Sequence, residues 1–384
     1  MKVVISGWFG PISVVIECPE RYAKFFEENF SSGGMFDSGV APDLHLVVHE
    51  ASSNVDFCSD FVSGKNFQYN KEGFKFCGPQ FTATVVGLFN KDRDCRIDVQ
   101  VEGRTGDYMH VANIIRAAYA SLQQKRIVLP EPLRNLTTSV MSYSLFWFVL
   151  HGLLLKKEAS FIHAASLGCN GDAILLAGTG GCGKTSTMFR LLEDKKFSYL
   201  AEDFSILSSD GHVFFNPKTL SIYASDLRGK PKLLNEYAQK YLSFFERRSW
   251  FAQLDGKRGN PMRKVPPVHV LGKGRLGKIA RLGGAFFLVR GNYDTIELKS
   301  IEGEEFAERS VDATSRELKT LSEIIGLGRA VAGEECGLPT IEAFRGELRR
   351  IFINAITGCP CFLMQIPVQS DPSSVASFLA ERNW

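Results

Sequence analysis

Eight consecutive residues, Gly178, Thr179, Gly180, Gly181, Cys182, Gly183, Lys184 and Thr185, fit the spacing G-x-x-x-x-G-K-[ST]. That spacing binds phosphate, and each residue type in it has a reason. The glycines let the backbone curl so that successive N–H groups converge on phosphate oxygens, and the helix start behind them adds a favourable dipole. Lys184 is placed to reach the β and γ phosphates, and the Thr185 hydroxyl to ligate magnesium; Ser186 completes the nucleotide-contacting set. The motif carries weight only between a strand and a helix. Here AILLAG, residues 173–178, is a short apolar run suited to a buried strand, and Met188, Leu191 and Leu192 then fall on one helical face. ATP and Mg2+ are the expected cofactors.

Two further sets of residues flank the loop. Glu202 and Asp203 are adjacent acids in FSYLAEDFSIL, residues 197–207, which reads as the next strand; an acid at this place is expected to help hold magnesium. Neighbouring strand residues point to opposite faces, so the two acids have different tasks unless a strand end or bulge redirects one. His163, in SFIHAASL upstream of the loop, is by itself better explained by packing and hydrogen bonding than by catalysis. Cys359 and Cys361 form a Cys-x-Cys in a segment that reads as a buried strand, where core packing is the expected role.

The elements around these residues change character along the chain. Up to about residue 101, short apolar runs (VVISGWF, ISVVIE, LHLVVHE, FTATVVGLF, RIDVQVE) alternate with turn residues, the pattern of a β-rich module. Tyr108, Val111, Ile114, Ile115, Ala118 and Leu122 then fall at helical spacing. From residue 161 the order strand, glycine loop, helix, strand is the α/β signature, and AFFLVR, CFLMQIPV and a terminal helix from Pro372 continue it. The predicted organisation is a β-rich α+β N-terminal domain over 1–154, with a helical connector, and an α/β nucleotide-binding domain over 155–384.

Bulk properties exclude several classes. The 384 residues suit two or three domains at roughly 150 residues each. A net charge of +3 offers no field that implies nucleic acid or an anionic membrane. Nine cysteines at no disulfide-framework or zinc spacing fit reduced thiols, and the N-terminus lacks the continuous apolar core of a signal peptide, so a cytoplasmic location is expected. The uncharged stretch 135–155 is long enough to span a bilayer, but its seven Asn, Ser, Thr and His residues favour a buried helix or helix pair, with no membrane span.

Taken together, HAASL from His163, AILLAGTGGCGKT and YLAEDFSIL resemble the nucleotide-binding core of the HPr kinase/phosphorylase family, which shares its fold with phosphoenolpyruvate carboxykinases. The match is strong over 161–207 and looser beyond. The resemblance implies that Thr185 and Asp203 hold magnesium, that Glu202 stands where the family keeps the acid acting as base toward an acceptor hydroxyl, and that His163 is its partner. Glu replaces the family's Asp at 202, keeping the carboxylate and lengthening its reach. Ser225-Asp226-Leu227-Arg228-Gly229 is similar to the family's Glu-x-Arg-Gly stretch, without the aliphatic run that should follow. Arg228 there suits a transferring phosphate or a solvated turn equally, and Arg281 resembles another family arginine. A homo-oligomer is implied by the resemblance alone.

The expected activity is a magnesium-dependent kinase that moves the γ-phosphoryl of ATP to an aliphatic hydroxyl of a protein, peptide or small metabolite, using Glu202, His163, Lys184 and Arg228. The alternative is an ATP-binding regulator or scaffold that transfers nothing.

Overall fold

The computed structural model describes residues 2–20, 22–23, 26–27, 41–50, 62–63, 67–69, 73–77, 81–88, 94–101, 147–223, 226, 231–242, 244, 247, 262–336 and 338–382. Among them the chain is mixed α/β, with two many-stranded mixed sheets, a two-stranded one and eight α-helices. It divides into two compact units: 1–157 with 319–344, and 158–318 with 345–384. The sequence places one boundary near 155; the compact units add two further crossings, because the segment 319–344 groups with the first unit.

The first unit is built on an eight-stranded sheet in the order β1-β2-β3-β8-β7-β6-β5-β4. Its strands are β1 (Lys2–Phe9), β2 (Ile12–Pro19), β3 (Leu44–Glu50), β4 (Val62–Ser63), β5 (Phe67–Tyr69), β6 (Gly73–Cys77), β7 (Phe81–Val86) and β8 (Cys95–Val101). The alternation legible in the sequence sets the faces. Ile12, Val14, Ile16 and Cys18 of β2 and Cys95, Ile97 and Val99 of β8 are buried, while Arg96 and Asp98 between them form an ion pair on the other face. The apolar stretch read as a buried helix is, in its described part, α1 (Trp147–Lys156). Trp147 meets Phe9 edge-on at 5.2 Å and Phe148 meets Phe74 at 5.2 Å. Among the described residues no helix is long and apolar enough to cross a membrane. The helical pattern expected over 108–122 lies outside the described residues. The segment 319–332 belongs here because the Tyr69 hydroxyl donates to the Ile324 carbonyl at 3.1 Å, and its ring lies so close to Gly328 that a Cβ would meet it at 2.8 Å.

The second unit carries the glycine loop. Its main sheet runs β12 (Phe197–Ala201), β10 (Ala164–Cys169), β11 (Asp172–Gly178), β17 (Ile279–Gly291), β14 (His212–Phe214), β13 (Ser205–Ser208), β9 (Ala159–Ile162). Strand β19 (Cys361–Pro367) also pairs with β17, and β18 (Glu297–Ser300) with β19. The small sheet pairs β15 (Leu220–Tyr223) with β16 (Met262–Val265). The helices here are α2 (Lys184–Leu191), α3 (Lys232–Tyr241), α4 (Pro267–Leu271), α5 (Gly303–Glu317) and α8 (Pro372–Ala380). The remaining two are α6 (Lys319–Ala332), which groups with the first unit, and α7 (Ile341–Ala355), at whose residue 345 the chain returns to the second.

Strand β11 is parallel to β17, and β17 to β19, and both faces of this part of the sheet are covered. Phe286 packs with Leu191 of α2 and Val375 of α8 in one core cluster; its neighbour Phe287, turned to the other face, meets Phe306 of α5 at 6.4 Å. Each such fully buried large apolar side chain contributes about 1.5–3 kcal/mol. That packing holds β11 rigid where it releases the chain into the loop.

One expected element is different. FSYLAEDFSIL is not a single strand with acids in its middle: it breaks into β12 and β13, which pair with different neighbours, and Glu202 and Asp203 form the corner between them. The Phe204 N–H donates to the Glu202 carbonyl at 2.7 Å and Asp203 has φ 66°, which makes the corner a γ-turn.

Candidate active site

Strand β11 ends at Gly178 and α2 starts at Lys184, so the six residues 178–183 turn the chain from sheet into helix. Two of the glycines are dictated by this geometry. Gly178 has φ 146°, and a Cβ on it would stand 2.7 Å from the Leu288 carbonyl of the adjacent strand; Gly183 caps α2 with φ 100°. The left-handed Gly183 leaves the first N–H groups of α2 open at the helix N-terminus, the feature that attracts phosphate.

Lys184 is buried and folded back on the loop. Its ammonium donates to the Gly178 carbonyl at 2.8 Å, the Thr179 carbonyl at 3.0 Å and His163 Nε2 at 2.8 Å. An ammonium has only donors, so Nε2 must accept and the ring proton resides on Nδ1. His163 is therefore neutral: burial, reinforced by the Lys184 charge, pushes its pKa down to about 4. The residue sits at the bend between β9 and β10, where its own N–H donates to the Thr314 hydroxyl at 2.9 Å and its ring meets Phe204 edge-on. The residue is thus both packed and hydrogen-bonded, the role the isolated sequence favours. Nδ1 is buried and makes no hydrogen bond among the described residues; Asp203 Oδ1 lies 3.8 Å from it.

The two acids of the corner face different partners. The Thr185 hydroxyl donates to Glu202 Oε1 at 2.8 Å, and the Ser221 N–H of β15 donates to Glu202 Oε2 at 3.3 Å. Burial, with the Asp203 charge beside it, pushes the Glu202 carboxyl up to about 7. Asp203 instead pairs through Oδ2 with the ammonium of Lys218, which is buried and lies 4.6 Å above the Phe204 ring. Lys184, His163, Asp203 and Lys218 thus form a line of alternating polar groups, with Glu202 and Thr185 alongside. A non-glycine residue held at positive φ costs on the order of 1–3 kcal/mol. The corner is fixed by Asn216, whose side-chain amide donates to the Phe204 carbonyl at 2.6 Å and whose N–H donates to the Leu200 carbonyl at 2.8 Å.

Several of these residues escaped the sequence reading. Lys218 follows Asn216 and Pro217 in a segment without periodicity, and only the turn character of Asn-Pro marks it. Asp226 belongs to the stretch singled out for Arg228. It accepts from the Ser186 hydroxyl at 3.0 Å and from the Tyr223 N–H at 2.8 Å, and burial raises its pKa. Arg228 itself lies outside the described residues. Arg281 is described and is not at the loop: in the register of β17 on β11 it pairs with Asp172, at the opposite end of the strand from Gly178. The arginine beside the loop is Arg290, which donates to the Val368 and Ser370 carbonyls at 3.0 and 2.9 Å and approaches Gly183. A cavity of about 500 Å3 opens there, with Thr179 to Cys182 on one wall and Arg290, Arg309 and Arg316 on others.

The donor set suits a hard cation. A hydroxyl and carboxylates converge at the corner, and Mg2+ typically takes one or two carboxylates and completes its shell from substrate phosphates and water. Among the described residues no three His, Cys, Asp or Glu side chains form a group that could hold a metal ion by itself. Neither a scan against protein-family models nor a search of the curated proteins returned a match to this chain.

Proposed function

We propose that the chain is an ATP- and Mg2+-dependent phosphotransferase acting on an aliphatic hydroxyl, of the kind its resemblance to HPr kinases implies. The observation that carries this reading is the seat of Lys184 between the loop carbonyls and a neutral histidine, with its neighbour Thr185 donating to a carboxylate of the 202–203 corner. A glycine turn with an incidental lysine would leave that side chain in solvent; burying an ammonium costs several kcal/mol unless its donors are met.

In this reading the loop N–H groups and the α2 N-terminus receive the β and γ phosphates. Lys184 exchanges its carbonyl partners for phosphate oxygens, and neutral His163, already 2.8 Å away, keeps the ammonium aimed. Thr185 and an acid of the corner would hold magnesium, which supplies charge neutralisation on the phosphates. A corner carboxylate accepts the proton of the acceptor hydroxyl as that oxygen bonds to the γ phosphorus, and the bond from phosphorus to the β–γ bridging oxygen breaks to release ADP. Arg290 stands on the loop side to face charge that develops there.

The test is transfer of label from γ-labelled ATP, with Mg2+, to a pool of hydroxyl-bearing metabolites and peptides. Transfer that disappears in Lys184→Met is expected. Mg2+-dependent nucleotide binding with no transfer to any acceptor would favour the regulator instead.

A further inference from the structure

We propose that the two corner acids exchange the duties the family resemblance implies: Glu202 serves the magnesium side with Thr185, and Asp203, held by Lys218, faces the acceptor. This rests on the phosphotransferase reading and assigns the residues within it.

The first ground is contact. A metal ligand set shared between Thr185 and an acid requires their oxygens to be neighbours. For Mg2+ at about 2.0–2.1 Å from each oxygen, two adjacent ligands of an octahedron stand about 2.9 Å apart. Thr185 Oγ1 and Glu202 Oε1 are 2.8 Å apart. The extra methylene of Glu over Asp supplies the reach, and the Ser221 N–H on Oε2 fixes the carboxylate plane without using Oε1.

The second ground is what occupies Asp203. One of its oxygens is taken by the buried Lys218 ammonium, and the other lies 3.8 Å from His163 Nδ1, a buried N–H with no hydrogen bond among the described residues. The γ-turn at Asp203 is the reason two consecutive acids diverge: it rotates one carboxylate away from α2 while the other stays on the Thr185 hydroxyl. A cation drawn to Asp203 would have to compete with Lys218, whereas at Glu202 it replaces only a hydroxyl proton contact. Lys218 is then a positioning residue: its pair with Oδ2 orients the Asp203 carboxylate toward the acceptor side.

The experiment is a titration of fluorescent ATP-analogue binding with Mg2+, from chelator to a large excess over nucleotide, on the wild-type chain and on Glu202→Gln, Asp203→Asn and Glu202→Asp. The readout is the Mg2+ concentration at half-maximal binding. Glu202→Gln is expected to raise it about tenfold or more, Glu202→Asp to raise it by less, and Asp203→Asn to leave it within about threefold. A shift confined to Asp203→Asn, or equal shifts in Asp203→Asn and Glu202→Gln, overturns the exchange while leaving the phosphotransferase reading intact. A wild-type chain whose nucleotide binding ignores Mg2+ overturns that reading and the exchange with it. Should Glu202→Gln fail to fold, Glu202→Asp against Asp203→Asn decides on the same comparison.

Discussion

The two ends of strand β11 are built from the same sheet and do opposite things. At one end Gly178 stands beside Leu288, and the chain turns through the loop into α2 under Lys184, His163 and the 202–203 corner. At the other, Asp172 stands beside Arg281, and a cavity of about 300 Å3 is walled by Asp210, Gly211, Cys359 and their neighbours. The six-residue separation at about 3.3 Å each puts these ends about 20 Å apart. Both present charged groups and glycines at positive φ. Only the first joins them to a helix N-terminus and to a buried lysine whose donors are all engaged. Ligands of parallel sheets bind outside the C-terminal ends of the strands, and β11 ends at Gly178 beside Leu288, three residues before β17 ends at Gly291.

The sharpest way to break this contrast is to remove the cation at each end. Lys184→Met keeps the length of the side chain and loses the ammonium, so nucleotide affinity should fall about 100-fold, as expected for losing one or two charge-assisted contacts to phosphate. Arg281→Met should leave affinity within about twofold. Calorimetric titration with Mg-ATP measures both, and a comparable loss in Arg281→Met would abolish the distinction between the ends.

Stability gives a second contrast, independent of function. Gly178→Ala adds a Cβ 2.7 Å from a strand carbonyl at a φ of 146°, whereas Gly171→Ala, in the hairpin at the far end, has φ 98° with nothing within 4 Å. The first combines clash and strain and should cost about 3 kcal/mol; the second carries strain alone, about 1 kcal/mol. Urea unfolding resolves the two.

A third concerns acid. The native His163 titrates near 4, against 6.5 for an unperturbed histidine, because of burial and the Lys184 charge. Its folded pKa is depressed, so between pH 6.5 and 4 the unfolded chain binds a proton that the native chain refuses, and stability falls as pH falls through that window. The loss is of order 2 kcal/mol. His163→Gln should flatten that part of the stability profile followed by chemical unfolding at pH 7, 6, 5 and 4.5; an unchanged slope would show that His163 is not the group that titrates.

Much of the loop end was legible because local rules wrote it. AILLAG, the glycine spacing and the face of Met188 and Leu191 state strand, turn and helix within twenty residues, and β11 and α2 follow. The terminal helix from Pro372 was equally local, with Asp371 accepting from the Ser373 N–H as its N-cap. What escaped depends on register and on distant contacts. A one-letter string shows Glu202 and Asp203 as neighbours in an apolar run, but the break between β12 and β13 is set by which strands each half pairs with. Lys218 is marked by no pattern, since its partners are Asp203 and the Phe204 ring, fourteen or more residues away. Strands β4 to β6 are too short for alternation to register, and Tyr69 anchors them to α6 across 255 residues.

Arg281 and Arg290 show the same lesson in one strand, and exchanging each supplies the finest test. Both are arginines of β17, nine positions apart, and the family resemblance singles out Arg281, just before AFFLVR. Register decides between them: Leu288 pairs with Gly178, so Arg290, still within β17, stands two residues past the end of β11 beside the loop, where its Nη1 is fixed by two carbonyls and its Nη2 lies near Gly183. Lysine keeps the charge at that place but not the fork that holds two carbonyls and a loop contact at once. Arg290→Lys should therefore weaken Mg-ATP binding only about three- to fivefold, less than 1 kcal/mol, and lower the melting temperature by a degree or two through the lost bonds to Val368 and Ser370. Arg281→Lys, beside Asp172 at the far end, should do neither. If the two substitutions weaken nucleotide binding alike, the loop draws on the field of the whole strand rather than on the arginine that register brings to it.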